Sequence, residues 1–159
     1  MVTTEETAQE VFEYARRGRY DDLLEVVDKV HPDTHVAYDG STAFIMACKR
    51  GDRRVCEVLI KHGADVSIRT EEGSTSLHIA ASAGCPELVN LLLSHRKHDL
   101  NERNEDGFTP LDMAKYYNHE RVVSVLVSNG AVCSSTSTPE AGEVEAGPSE
   151  RWGYGVFDQ

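Results

Sequence analysis

Seven histidines, four cysteines and 27 acidic residues lie in a chain of 159, so the side chains needed for catalysis are present. What is missing is an arrangement. There is no G-x-S-x-G elbow, no Gly-rich phosphate loop and no H-E-x-x-H pair, and serine, histidine and aspartate fall in no recognisable nucleophile–base spacing. No catalytic residue is assigned, the chain reads as non-enzymatic, and no cofactor is called for. His95, His98 and Asp99 are the nearest approach to a metal cluster, because an i, i+3 spacing sets both histidines on one side of a helix. A zinc site usually wants four ligands, and nothing in the sequence brings Cys85 near them. A solvated polar loop is the better reading, and no metal ligand is assigned.

The cysteines, Cys48, Cys56, Cys85 and Cys133, form no C-x-x-C pair. Their spacing suits packing, where a thiol acts as a small hydrophobe, rather than a disulfide framework. A reducing compartment is expected, cytoplasmic and/or nuclear. No apolar run approaches the ~18 residues of a membrane span, and the polar, acidic start Met1–Glu6 resembles neither a secretory signal nor a transit peptide. The formal charge of −11 opposes direct binding to nucleic acid, which depends on Lys and Arg displacing counterions. It favours a basic protein partner through long-range attraction, and equally serves plain solubility.

The elements that would position any site repeat along the chain. Asp39-Gly40, Glu72-Gly73 and Asp106-Gly107 each open a similar segment, spaced 33 and then 34 residues apart. After each come a Thr at a helix start, a short apolar helix and a second helix rich in Leu, Ile or Val, with a Gly between the two in the first two segments. One such pair cannot bury its apolar face alone and needs neighbours of the same shape. Thr75-Ser76-Leu77-His78, followed by Ala80, Ala81, Gly84, Glu87 and Leu91 to Leu93, resembles the ankyrin repeat signature T-P-L-H-x-A…G…E-V-V-x-L-L-L. Thr42-Ala43-Phe44-Ile45 and Thr109-Pro110-Leu111-Asp112 are further copies in frame. The resemblance implies an all-α solenoid used for protein binding, and a structural role for His78 between the Thr hydroxyl and neighbouring backbone.

Taken in order, the chain divides into four units at about 5–38, 39–71, 72–105 and 106–133. The first and last act as caps. Thr3 and Glu6 fit a capping box ahead of a helix ending at Gly18, and Thr109 with Asp112 fits another. Tyr20, Leu23, Val26, Val27 and Val30 mark the second helix of the first unit, and Val122, Val123, Val125, Leu126 and Val127 are expected to pack inward in the last. The central unit carries one extra residue at Ser94–Asp99 and lacks a terminating Gly there, which predicts a solvated loop. Residues 134–150 are poor in apolar groups and read as a disordered acidic linker. The segment 134–159 holds five acids against Arg151, net −4, leaving −7 to the repeats. The last nine residues, 151–159, form an aromatic motif around Trp152, Tyr154 and Phe157.

The resemblance places a binding groove on the turn tips and on the inner face of the first helices. The tip positions are Tyr38, Asp39, Arg69, Thr70, Glu71 and Glu72, then Arg103, Asn104, Glu105, Asp106 and Phe108. The inner-helix positions are Met46, Lys49 and Arg50, then Ile79 and Ser82, then Met113, Tyr116 and Tyr117. Tyr, Met and Arg combine area with a polar handle, and the adjacent tyrosines stand where the family has small or polar residues. The acidic tips would meet a basic ligand. Three uses suit the aromatic tail: a motif offered to a second protein, a segment folded back on the groove, or an unselected end. Thr138-Pro139 fits a proline-directed kinase, and Asn101 falls where Asn hydroxylases act on some family members. The leading expectation is a monomeric, non-catalytic protein-binding module without membrane insertion. An acidic escort of a basic client, such as a ribosomal protein, and a regulatory or targeting subunit of an enzyme are the alternatives.

Overall fold

The computed structural model describes residues 3–34, 37, 40–95 and 99–133. These residues form eight helices: α1 (Thr4–Arg17), α2 (Tyr20–Val26), α3 (Ala43–Arg50), α4 (Arg53–Lys61), α5 (Ser76–Ala83), α6 (Pro86–Ser94), α7 (Pro110–Tyr116) and α8 (Glu120–Ser128). Consecutive helices pair into four helix–turn–helix units. The first helices α1, α3, α5 and α7 pack one on the next, and α2, α4, α6 and α8 form a second layer behind them. Among the described residues the nearest thing to a strand is one antiparallel bridge, Arg69 to Thr75. The chain is an all-α solenoid.

Local chemistry sets the helix boundaries. Thr3, Thr42, Thr75 and Thr109 each cap the first helix of a unit, the hydroxyl accepting from the third backbone N–H, which satisfies an orphan donor. Both expected capping boxes form, from Thr3 with Glu6 and from Thr109 with Asp112. The first three of these helices end in a left-handed glycine, Gly18, Gly51 or Gly84. Each lies against the turn between the two helices of the next unit. A Cβ on Gly18 would meet the Arg50 guanidinium, one on Gly51 the Cys85 sulfur, and one on Gly84 would stand 2.6 Å from the His119 ring. Glycine is therefore required by its φ at all three positions, and by the close approach as well at Gly51 and Gly84; at Gly18 the exposed end of Arg50 can swing aside. Asn118 takes the corresponding place in the last unit at φ 59°.

The core runs unbroken through all four units. Leu23, Phe44, Leu59, Leu77, Leu88, Leu92, Leu111 and Leu126 are each 1% exposed or less. Two expectations are corrected. Val30 is half-buried beyond the end of α2, which stops at Val26. In α8, Val122 and Leu126 are buried and Val123 and Val125 partly so, but Val127 is 54% exposed because no further unit covers it among the described residues. Cys48 and Cys56 are buried as expected, and their sulfurs lie 3.8 Å apart, in S–H···S contact and not joined by a disulfide.

Candidate protein-binding surface

The turn tips share one backbone pattern. The N–H of Ala37, Thr70 and Asn104 donates to the carbonyl of Ser41, Ser74 and Phe108, and the N–H of Gly40, Gly73 and Gly107 donates back to the carbonyl of Ala37, Thr70 and Asn104. Adjacent tips are tied together by Glu105 N–H to the Glu72 carbonyl at 3.1 Å, and by the ion pair of Arg69 with Glu102. Two buried side chains lock the third tip. Asn104 Oδ1 accepts from the Phe108 N–H at 3.0 Å, and Asn104 Nδ2 donates to Ser74 Oγ at 3.4 Å.

The other lock is His78, fully buried. Nε2 lies 2.8 Å from the Phe108 carbonyl, which makes it the N–H donor. Nδ1 is then the acceptor for Thr75 N–H at 3.2 Å and for the Thr75 hydroxyl at 2.9 Å. A proton on Nδ1 would break both bonds inside an apolar shell. Burial depresses the pKa to about 4, against a smaller upward pull from the Phe108 carbonyl, so the ring is neutral at physiological pH.

Not every expected surface residue is on the surface. Counted from the Thr caps, Met46, Ile79 and Met113 share one column, Lys49, Ser82 and Tyr116 a second, and Arg50, Ala83 and Tyr117 a third. Met46 is half-buried, but Ile79 and Met113 are 0% and 2% exposed and belong to the core, because the neighbouring first helices close over them. Ser82 is nearly buried, its hydroxyl turned back onto the Ile79 carbonyl. Thr70 and Asn104 are buried likewise, since their places in the turn pattern point them inward. None of these five is open to a partner.

The accessible tip residues are Arg69, Glu71, Arg103, Glu105 and Asp106, with Glu72 and Phe108 partly exposed. Tyr116 is 41% exposed and meets Tyr117 edge-on, ring centroids 5.1 Å apart. Tyr117 is half-buried; burial raises its phenol pKa, with Tyr116 adding to it, and its hydroxyl oxygen is enclosed without a hydrogen-bond partner among the described residues. Lys49 donates to Ser41 Oγ at 3.1 Å. Tyr38, Asp39, His98, Thr138 and the tail motif Trp152, Tyr154 and Phe157 lie outside the described residues. So do the linker and the centre of the Ser94–Asp99 loop, whose flanks His95 and Asp99 are exposed. Among the described residues no three His, Cys, Asp or Glu side chains come together as a metal site, and no helix is long and apolar enough to cross a membrane. The side chain of Asn101 accepts from the Val132 N–H at 2.8 Å.

Sequence reasoning missed His119. Its Nε2 lies 2.9 Å from the Ser82 carbonyl, and its ring stacks on Tyr117 at 6.2 Å, so it supports the tyrosine ledge from below. Its alignment with Asp52 and Cys85, one residue past the turn glycine, is the signal that could have found it.

Capped helix pairs stacked by their first helices, with hydrogen-bonded tips projecting from one end, define a helical-repeat solenoid. Such stacks present extended surfaces to other proteins. The family model for ankyrin repeats in three copies matches residues 12–104, and the single ankyrin repeat model matches residues 106–137. The chain belongs to the ankyrin repeat family, whose members are generally non-catalytic modules of protein–protein interaction. It is 36% identical over 88 residues to Protein fem-1 homolog A-like of Mus musculus, covering 55% of this chain and 13% of that protein. Identity is also 36% over 87 residues with Protein phosphatase 1 regulatory subunit 27 of Mus musculus, covering 55% and 52%. Serine/threonine-protein kinase 12 of Arabidopsis thaliana is 31% identical over 117 residues, covering 70% and 25%. The chain thus spans about half or less of the length of these relatives.

Proposed function

We propose that this protein binds a protein partner across its turn tips and the Tyr116 ledge, and that the partner presents a basic segment to the tips. The observation that carries the reading is the third tip. Glu105 and Asp106 are exposed there on a turn whose backbone is fixed by Asn104, by His78 and by the bond to Glu72. A surface held rigid before binding loses little conformational entropy when it binds. Exposed charges mainly steer encounter, and an aromatic such as Tyr116 supplies contact energy. The unit works as a monomer in the cytoplasm or nucleus, in keeping with its unbridged thiols.

The test is quantitative capture from lysate with wild type, Tyr116→Ala and Glu71→Lys/Glu105→Lys. Tyr116→Ala should lower recovery of the principal partner by about tenfold. The charge reversal should slow association and abolish its salt dependence. Recovery unchanged by both variants would sink the proposal. A second reading, a regulatory or targeting subunit of an enzyme, draws on the similarity to Protein phosphatase 1 regulatory subunit 27. It requires one enzyme to dominate the captured set at moderate salt, whereas an escort of basic clients requires many basic proteins that elute there.

A further inference from the structure

The acidity of this chain hides a local reversal of sign. Seven of its 16 basic residues fall in two turns, Arg16, Arg17 and Arg19 around Gly18, and Lys49, Arg50, Arg53 and Arg54 around Gly51. The two turns touch, because Gly18 leaves room for the Arg50 guanidinium to lie across it. They stand at the far ends of the first helices from the turn tips. Eight residues of α3 separate the two ends, about 12 Å.

Four of the carboxylates nearby are already engaged. Glu13 holds both Arg16 and Arg17, at 2.8 and 3.1 Å, and Asp22 holds Arg19 at 2.7 Å. Glu57 holds Arg53 at 2.8 Å, and Asp52 caps α4 through the Val55 N–H. Asp21 and Glu87 are exposed acids with no ion-pair partner among the described residues. Arg50 and Arg54 are exposed and pair with no carboxylate among the described residues. Aromatic faces also hold these cations in place. The Arg54 guanidinium lies 4.7 Å above the Tyr20 ring and that of Arg19 lies 5.4 Å above Tyr14. A guanidinium stacked by its face keeps its N–H edge available for a bidentate carboxylate and has little side-chain entropy left to lose.

We propose that the two turns form a second docking surface, distinct from the tips, for an acidic segment of a partner protein with closely spaced Glu or Asp side chains. Arg50 and Arg54 would make the direct contacts, and the paired arginines would set the surrounding field. Charge complementarity decides the choice of partner. A nucleic acid would have to bring many phosphates close to a chain of net charge −11, whereas a short acidic peptide meets only the local field, screened beyond about 8 Å at physiological salt.

The full-length protein would be titrated into a fluorescein-labelled 15-residue Glu/Gly peptide and followed by anisotropy at low and physiological salt. Arg50→Glu/Arg54→Glu is compared with the charge-matched Arg103→Glu/Arg121→Glu, with circular dichroism to confirm that both variants fold. The expected result is a loss of about fivefold or more for the first pair and less than twofold for the second. Equal losses would mean diffuse charge and overturn the assignment, as would wild type failing to bind at low salt or preferring single-stranded RNA of equal length. Glu140→Gln/Glu143→Gln/Glu145→Gln/Glu150→Gln is made in the full chain as well. Tighter peptide binding by that variant would support the surface and show that the chain's own acidic segment competes for it.

Discussion

His78 sets the pH response of the fold. Its pKa of about 4 in the folded protein lies below the ordinary 6.5 of an unfolded histidine. Between those values the unfolded chain binds a proton that the folded one does not, so stability falls as pH drops through that window. The loss approaches about 3 kcal/mol near pH 4. His78→Gln should cost about 2 kcal/mol at pH 7.5, and the gap between wild type and variant should narrow as pH falls, close near about pH 5 and reverse below it in chemical denaturation. A constant gap would mean that the imidazole does not titrate in this way. The role of His78 was legible in the sequence through its place after Thr75. The burial of Asn104 was not, because a polar residue in a turn ordinarily faces water and only the register of the tip turns it inward.

At the scale of the element, Gly51 and Gly84 each serve two masters. Gly51 needs a left-handed backbone, φ 75°, and it needs Cys85 to lie where a side chain would be. Gly51→Ala should cost about 3 kcal/mol, of which about 1 is the backbone term. In a Cys85→Ala background the cost should fall toward that backbone term, and a double-mutant cycle by urea denaturation reads the coupling directly. Additive effects would place Cys85 elsewhere. Helix starts and stops were readable because Thr caps and glycines act locally. The accessible columns were read less well. Ile79 and Met113 were expected to line the groove from the family resemblance, and the contact between α5 and its neighbours α3 and α7 buries them. Periodicity gives the side of a helix on which a residue lies but not how tightly the next helix closes over that side.

Across the whole molecule, the thiols report on the stack from the inside out. Cys133 is exposed, with Lys115 Nζ 2.6 Å from its sulfur, Cys85 is partly covered, and Cys48 and Cys56 are sealed in the core. Burial pushes Cys85 upward in pKa and Cys48 well upward, so both are protonated and slow to react. Labelling with a chromogenic disulfide at pH 8 should modify Cys133 first and Cys85 next. Cys48 and Cys56 should follow together, at the rate at which the second and third units part. Rapid labelling of Cys48 in native buffer would contradict the sealed core. The four-unit plan was visible in the repeat spacing, and the polar ending is visible in one column: Cys48 and Ala81 are buried six residues after their caps, where Lys115 is exposed. The basic face was hidden by the net charge, since Arg16–Arg19 and Lys49–Arg54 meet only once the units stack.

The glycine contacts carry one more consequence. Gly18 receives an arginine, Gly51 a cysteine and Gly84 a histidine, so each junction is keyed by a different tooth. Units that look interchangeable in outline are therefore not interchangeable in sequence. Exchanging the second unit for the third would bring Cys85 to the place that Arg50 fills and Arg50 to the place that fits His119. The order of the repeats is written into their joints.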